Sequence, residues 1–281
     1  MSTTSFRSEK IFKTLSTASG RNHPLATILL SMLTQYKESP LVNLEPFLKL
    51  LFFRDGSPVT LRRHFPMEPL FDLDQTPDTT MQCSRQVGKS MNVSMRTLIN
   101  SVWREHWRPL LIAPFYETTR RLSTDYFASL IDQSPSRFLF TGPGCTKQVL
   151  ERTLPNHSRI RFTYAYRSGD RARGIPATEC VYDETQLMWP EVMAVINATM
   201  NASPHGYIVT TAGTPLTNSN HLSIRFKEKS SRSHWTIKCE ACGHHNIAAP
   251  EYDLLQMLGP LRDDIGYDRP ALRRSKCRSP L

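Results

Sequence analysis

Between residues 63 and 235, short β-type runs alternate with helix-type runs. TTMQC (79–83) leads to VSMRTLINSVW (93–103), and RPLLIAP (108–114) to ETTRRLSTDYFASLID (117–132). RIRFTYAY (159–166) and ECVYDE (179–184) come before EVMAVINATMN (191–201), and GYIVTTAGTP (206–215) closes the series. Strands separated by helices pair in parallel, with the helices covering both faces of the sheet. The expected fold class is α/β, a doubly wound, mostly parallel sheet over residues 63–235. Residues 1–62, with apolar clusters at helical spacing and a break at Glu38-Ser39-Pro40, read as a helical lead-in. Residues 236–281 change in composition and form a third, small segment. A chain of 281 residues with 39% hydrophobic content is long enough to bury a core.

The eight residues CSRQVGKS (83–90) lie at the join between the first strand and its helix. A phosphate-binding loop needs converging backbone N–H groups, a lysine for the outer phosphates and a hydroxyl for a magnesium ion. Gln86, Val87, Gly88, Lys89 and Ser90 meet those needs, and the following helix adds the positive end of its dipole. Cys83 stands where the pattern has its first glycine. A small cysteine fits there only if the backbone is not forced into positive φ.

ECVYDE reads as a buried strand ending in two acids. A carboxylate at the C-terminal edge of a strand is placed to hold magnesium, and the next can orient or deprotonate a water. Asp183 is the metal-side candidate and Glu184 the base candidate. An isolated acid pair after a strand is ordinarily just solvated; the GKS loop upstream is what favours the functional reading. In YIVTTAGTP the small residues Thr210, Thr211, Gly213 and Thr214 could sense the terminal phosphate, or simply form a strand-to-loop turn.

Six cysteines occur, at 83, 145, 180, 239, 242 and 277. Cys239-Glu-Ala-Cys242 has the knuckle spacing of a zinc ribbon. Cys277 lies about where a second knuckle belongs, but Arg274 stands three residues before it. A Zn2+ site of Cys239, Cys242, Cys277 and either His244 or His245 is one reading, and a degenerate ribbon without metal is the other.

Thirty-five Lys and Arg against 25 Asp and Glu give a formal charge of +10, which suits a polyanionic partner or a merely basic soluble surface. Arg120, Arg121, Arg171 and Arg173 could contact DNA or a neighbouring subunit, though solvated surface arginines are commoner. The apolar stretches at 25–33 and 47–53 fall short of the roughly 20 residues that span a bilayer. No signal-peptide pattern opens the chain, so a cytoplasmic location is expected.

Taken together, SRQVGKS (84–90), LLIAPFYETTRR (110–121), RARGIPATECVYDE (171–184) and TTAGTP (210–215) resemble, in order, motifs of the large subunit of tailed-bacteriophage terminase. The resemblance runs from about residue 64 to 250. It implies a P-loop NTPase of the ASCE type that uses ATP and Mg2+ to move double-stranded DNA into a procapsid. The implied partners are duplex DNA, the terminase small subunit, the portal protein and further copies of the chain in a ring. The implied location is the cytoplasm of the infected host.

The resemblance also gives Arg85 the role of stabilising charge on the transferring phosphoryl group, and TTAGTP that of a coupling motif. Residues 64–78 lie where such ATPases hold the adenine, which Phe65 or Gln75 could contact, although packing in the core is the commoner role for such a phenylalanine. The family usually continues into a nuclease domain, for which this chain leaves no room, so DNA cleavage is not expected of it. A helicase or translocase of another P-loop branch, or a decayed DNA-binding remnant, would share many of these features.

Overall fold

The computed structural model describes residues 31–32, 35, 40–62, 64–72, 77–204, 206–247, 252–260, 270–272 and 274–277. Of the expected lead-in, most of residues 1–39 therefore lies outside the described residues. Helix α1 (Pro40–Leu51) is followed by a hairpin of β1 (Phe53–Arg54) and β2 (Ser57–Pro58). Asp55 and Gly56, with φ of 51° and 75°, make the turn in the left-handed conformations a two-residue hairpin favours.

The central sheet contains β3 (Asp78–Gln82), β4 (Pro109–Ala113), β5 (Glu151–Thr153), β6 (Arg159–Tyr164), β7 (Glu179–Tyr182) and β8 (Ile208–Gly213). Its order is β3-β8-β7-β4-β6-β5, parallel throughout except for the antiparallel edge strand β5. The expected doubly wound parallel sheet is present, and β5 is the addition that alternation did not reveal. Every residue of β4, β7 and β8 is buried, as strands covered on both faces require.

Side chains alternate between two core clusters. On one face Leu111, Val181 and Ala212 pack with Leu44, Phe47, Phe52, Met95, Leu98 and Phe127. On the other, Leu110, Ile112, Cys180, Tyr182 and Val209 pack with Val192 and Ile196. Helix α1 thus contributes to the same core as the sheet.

Helix α2 (Lys89–Trp103) is buried from Met91 to Ser101. Helix α3 (Tyr116–Arg121) runs through a π-helical segment, Leu122–Ala128, into α4 (Ser129–Asp132). Helices α5 (Pro190–Asn197) and α6 (His221–Lys229) follow β7 and β8.

Two ties fix α2 against β7. Near one end, Ser90 Oγ donates to Asp183 Oδ2 at 2.8 Å. Near the other, Glu179 accepts from Asn100 Nδ2 at 3.4 Å and from Trp107 Nε1 at 2.7 Å. Ten helical residues rise about 15 Å and four strand residues about 13 Å, so both ties close together.

The chain divides into two units, Met1–Ser230 and Ser231–Leu281. The second contains β9 (Ile237–Lys238) paired with β10 (His245–Asn246), a short helix α7 (Leu254–Met257), and β11 (Leu258–Pro260) paired with β12 (Pro270–Leu272). No helix among the described residues is long and apolar enough to cross a membrane.

Candidate active site

The loop after β3 enters α2 through Gly88, whose φ of 80° an L side chain rarely adopts. A Cβ at Gly88 would also lie 2.8 Å from His64 Nδ1, the atom that donates to Val87 O at 3.0 Å. Glycine is required here on two counts. Cys83 is not among the residues with positive φ, and its N–H continues the sheet ladder to Gly213 O at 3.1 Å. The missing first glycine is therefore no obstacle; the left-handed turn falls at Gln86, with φ of 62°.

Lys89 is buried, its ammonium donating to Ser84 O at 3.0 Å and to Thr214 Oγ1 at 2.9 Å. The strand order explains the second contact: β8 lies between the loop strand β3 and the acid strand β7, so its C-terminal end meets both.

Asp183 is also buried. While Oδ2 accepts the Ser90 hydroxyl, Oδ1 has no hydrogen-bond partner. Burial pushes this carboxyl up to about 6, against the lowering effects of the Ser90 hydroxyl and the Lys89 charge. An orphaned buried carboxylate oxygen beside a serine hydroxyl fits a hard divalent cation.

Glu184 follows in the left-handed conformation, φ 54°, and its Oε2 accepts from Gln186 Nε2 at 2.5 Å. Gln186 Oε1 in turn accepts the backbone N–H of Thr214 at 3.1 Å. A chain of contacts therefore runs from Glu184 through Gln186 and Thr214 to Lys89. Gln186 was not singled out from the sequence. Its place two residues after the acid pair was visible, but its partner lies 28 positions away.

Lys89, Ser90 and Glu184 border a cavity of about 470 Å³, together with Arg85, Gln86 and Gly88. Arg54, His64, Met91 and Tyr126 complete it. Arg54 and Tyr126 were not expected. Arg54 is held by Met91, its Nη1 3.1 Å from the sulfur, and its guanidinium lies 6.0 Å from the Tyr126 ring centroid. Tyr126 reaches the cavity from a π-helical segment, an element often placed at functional sites. Gln75 and the side chain of Phe65 lie outside the described residues.

Of the expected coupling residues, Thr214 meets Lys89, and Gly213 lies against Gln186. Thr210 and Thr211 point elsewhere: both are buried, and Thr210 Oγ1 accepts from Arg96 Nη1.

In the second unit, Gly243 at φ 69° turns the knuckle, with Cys239 N–H donating to His244 O and Gly243 N–H to Cys239 O, both at 2.8 Å. Asn246 Oδ1 accepts from Ser275 N at 2.8 Å and from Ser275 Oγ at 2.9 Å, drawing the 274–277 turn alongside. The sulfurs of Cys239, Cys242 and Cys277 lie within 4.8 Å of one another. Burial raises the Cys239 thiol, but the Cys242 N–H and neighbouring thiols outweigh it and bring it to about 6. Neither candidate histidine joins the cluster. His244 Nε2 lies 3.7 Å from Asp253 Oδ1, and His245 Nδ1 3.0 Å from Thr236 Oγ1. Arg274 Nη1 instead lies 3.6 Å from Cys239 Sγ.

The fold and the loop define a P-loop α/β domain. Among solved structures, an arginine-to-alanine variant of the Thermus phage P74-26 large terminase ATPase domain matches with a TM-score of 0.51 at 17% identity, over 74% of this chain and 82% of that one. The unaltered domain gives 0.49 at 16% identity over the same shares. The ADP-bound large terminase of a second thermophilic bacteriophage gives 0.46 at 13% identity, and this chain covers 42% of it. The chain thus shares the fold of a phage large-terminase ATPase domain. No protein-family model matches the sequence, and no curated protein does.

Proposed function

We propose that the chain is the ATPase part of a terminase-like motor, coupling ATP hydrolysis to movement of double-stranded DNA into a procapsid. The observation that carries this reading is the meeting of Lys89, Ser90 and Glu184 around one cavity, with Asp183 bonded to Ser90 behind it and its Oδ1 unpartnered. The shared fold supports the terminase branch, as do the four motifs in order.

In this reading the backbone N–H groups of 86–90 and the Lys89 ammonium bind the phosphates, with Lys89 exchanging Thr214 for an outer phosphate oxygen. Ser90 and Asp183 would hold Mg2+, which when bound neutralises charge on the β- and γ-phosphates. Glu184 orients the attacking water and takes its proton, and the exposed Arg85 offsets charge on the phosphoryl oxygens. Cys239, Cys242 and Cys277 bind Zn2+. The small subunit, the portal and further copies of the chain are the partners, in the cytoplasm of the infected host.

The test is steady-state ATP hydrolysis by the purified chain with Mg2+, with and without duplex DNA, beside Glu184→Gln. Turnover that falls about 10²–10⁴-fold in the variant while nucleotide still binds supports the assignment. Equal rates in the two proteins, or wild-type rates in Lys89→Ala, would sink it.

A further inference from the structure

The C-terminal ends of β4 and β6 and the start of α5 carry two stacks of aromatic rings and arginines that the cavity does not use. In the first, the Phe115 and Tyr166 ring centroids lie 5.2 Å apart, and the Arg167 guanidinium sits 5.4 Å from the rings of both Tyr166 and Trp189. In the second, Tyr116 meets Tyr164 edge-on at 5.8 Å, and Arg171 lies 4.4 Å from the Tyr164 centroid. A bond from Trp189 N to Tyr166 O, 3.0 Å long, holds Trp189 beside the first stack.

These rings face solvent: Phe115 is 46% exposed, Tyr116 42%, Tyr166 38% and Trp189 49%. Grouped apolar area of this kind marks a binding surface far more often than scattered exposed residues do. The charge on the patch narrows the choice of partner. Arg120 and Arg173 close on Glu117 and Asp170, whereas neither Arg167 nor Arg171 has a carboxylate partner among the described residues. A guanidinium stacked on a ring keeps its in-plane N–H donors available for a phosphate. Ring faces beside uncompensated guanidinium groups match the base faces and phosphates of a polynucleotide strand, and base stacking is available only where the bases are unpaired.

We propose that this face binds unpaired nucleotides, with bases stacking on Tyr166 and Trp189 and phosphates meeting Arg167 and Arg171. The inference goes beyond duplex translocation and stands whether or not the chain hydrolyses ATP.

The experiment uses the full chain and two fluorescein-labelled probes, an oligothymidylate and a blunt duplex of equal length. Binding is read by anisotropy and self-association by sedimentation. The wild type should bind the oligothymidylate, and the double variant Tyr166→Ala, Trp189→Ala should bind it at least about tenfold more weakly, with a smaller change on the duplex. Arg167→Ala should lower the salt dependence by about one phosphate contact, and it serves alone if the double variant melts early. Three results would overturn the proposal: no wild-type binding to the oligothymidylate at low salt, equal losses on both probes, or unchanged affinity with altered sedimentation, which would mean an interface between copies.

Discussion

Asp183 illustrates how one buried atom links stability to chemistry. Its carboxyl is pushed up to about 6 by burial, above the value near 3.9 in an unfolded chain. Between about pH 4 and 6 the native state therefore binds a proton that the unfolded state lacks. This contribution to stability is present at low pH and is lost as pH rises through 6. In chelator-containing buffer, Asp183→Asn should be more stable than the wild type at pH 8 by about 1–3 kcal/mol, with the gap narrowing towards pH 4. Urea denaturation across that range checks it; a difference independent of pH would contradict the argument. The same substitution should remove the Mg2+ dependence of nucleotide binding. Asp183, Lys89 and Ser90 were legible in the sequence because each stands in a local pattern with fixed chemistry. Arg54 and Tyr126 were not, since a hairpin and a π-helical segment carry them to the cavity from separate parts of the chain.

At the level of elements, β8 and the turn after β7 meet through Gln186. A Cβ on Gly213 would lie 2.2 Å from Gln186 Oε1 and 2.8 Å from Leu222 Cδ2, so the close approach of the two elements depends on that glycine. Gly213→Ala should destabilise the protein by about 1–3 kcal/mol in urea denaturation, through overpacking. Gln186→Ala leaves the strands in place but removes the donor to Glu184 and the acceptor for Thr214 N–H. Its expected signature is a lower kcat with little change in nucleotide affinity, measured by turnover and by equilibrium binding. Weakened binding with unchanged kcat would assign Gln186 to the nucleotide instead. The TTAGTP turn could be read from the sequence in two ways, as a sensor or as a plain connection. Of its residues, Thr214 meets Lys89, while Thr210 and Thr211 belong to the core.

At the scale of the whole molecule, the second unit tests how far spacing alone determines a metal site. Three thiols converge, and Arg274 is near the position a fourth would need. Titration of the full chain with Co2+ should give thiolate-to-metal charge-transfer bands that Cys277→Ser abolishes and that chelator removes. Bands unchanged in Cys277→Ser would mean that the 239–242 knuckle binds with other ligands. The sequence by itself determined the parallel α/β core, because alternating strand and helix runs admit few arrangements. It also marked the loop at 83–90 and the acid pair at 183–184, whose residues stand within a few positions of one another. Only the tertiary structure decided that β8 runs between loop and acids, that Gln186 joins Glu184 to Thr214, and that neither His244 nor His245 joins the three thiols. Those contacts form between residues far apart in the chain, and they depend on the order and register of strands, which local pattern does not encode.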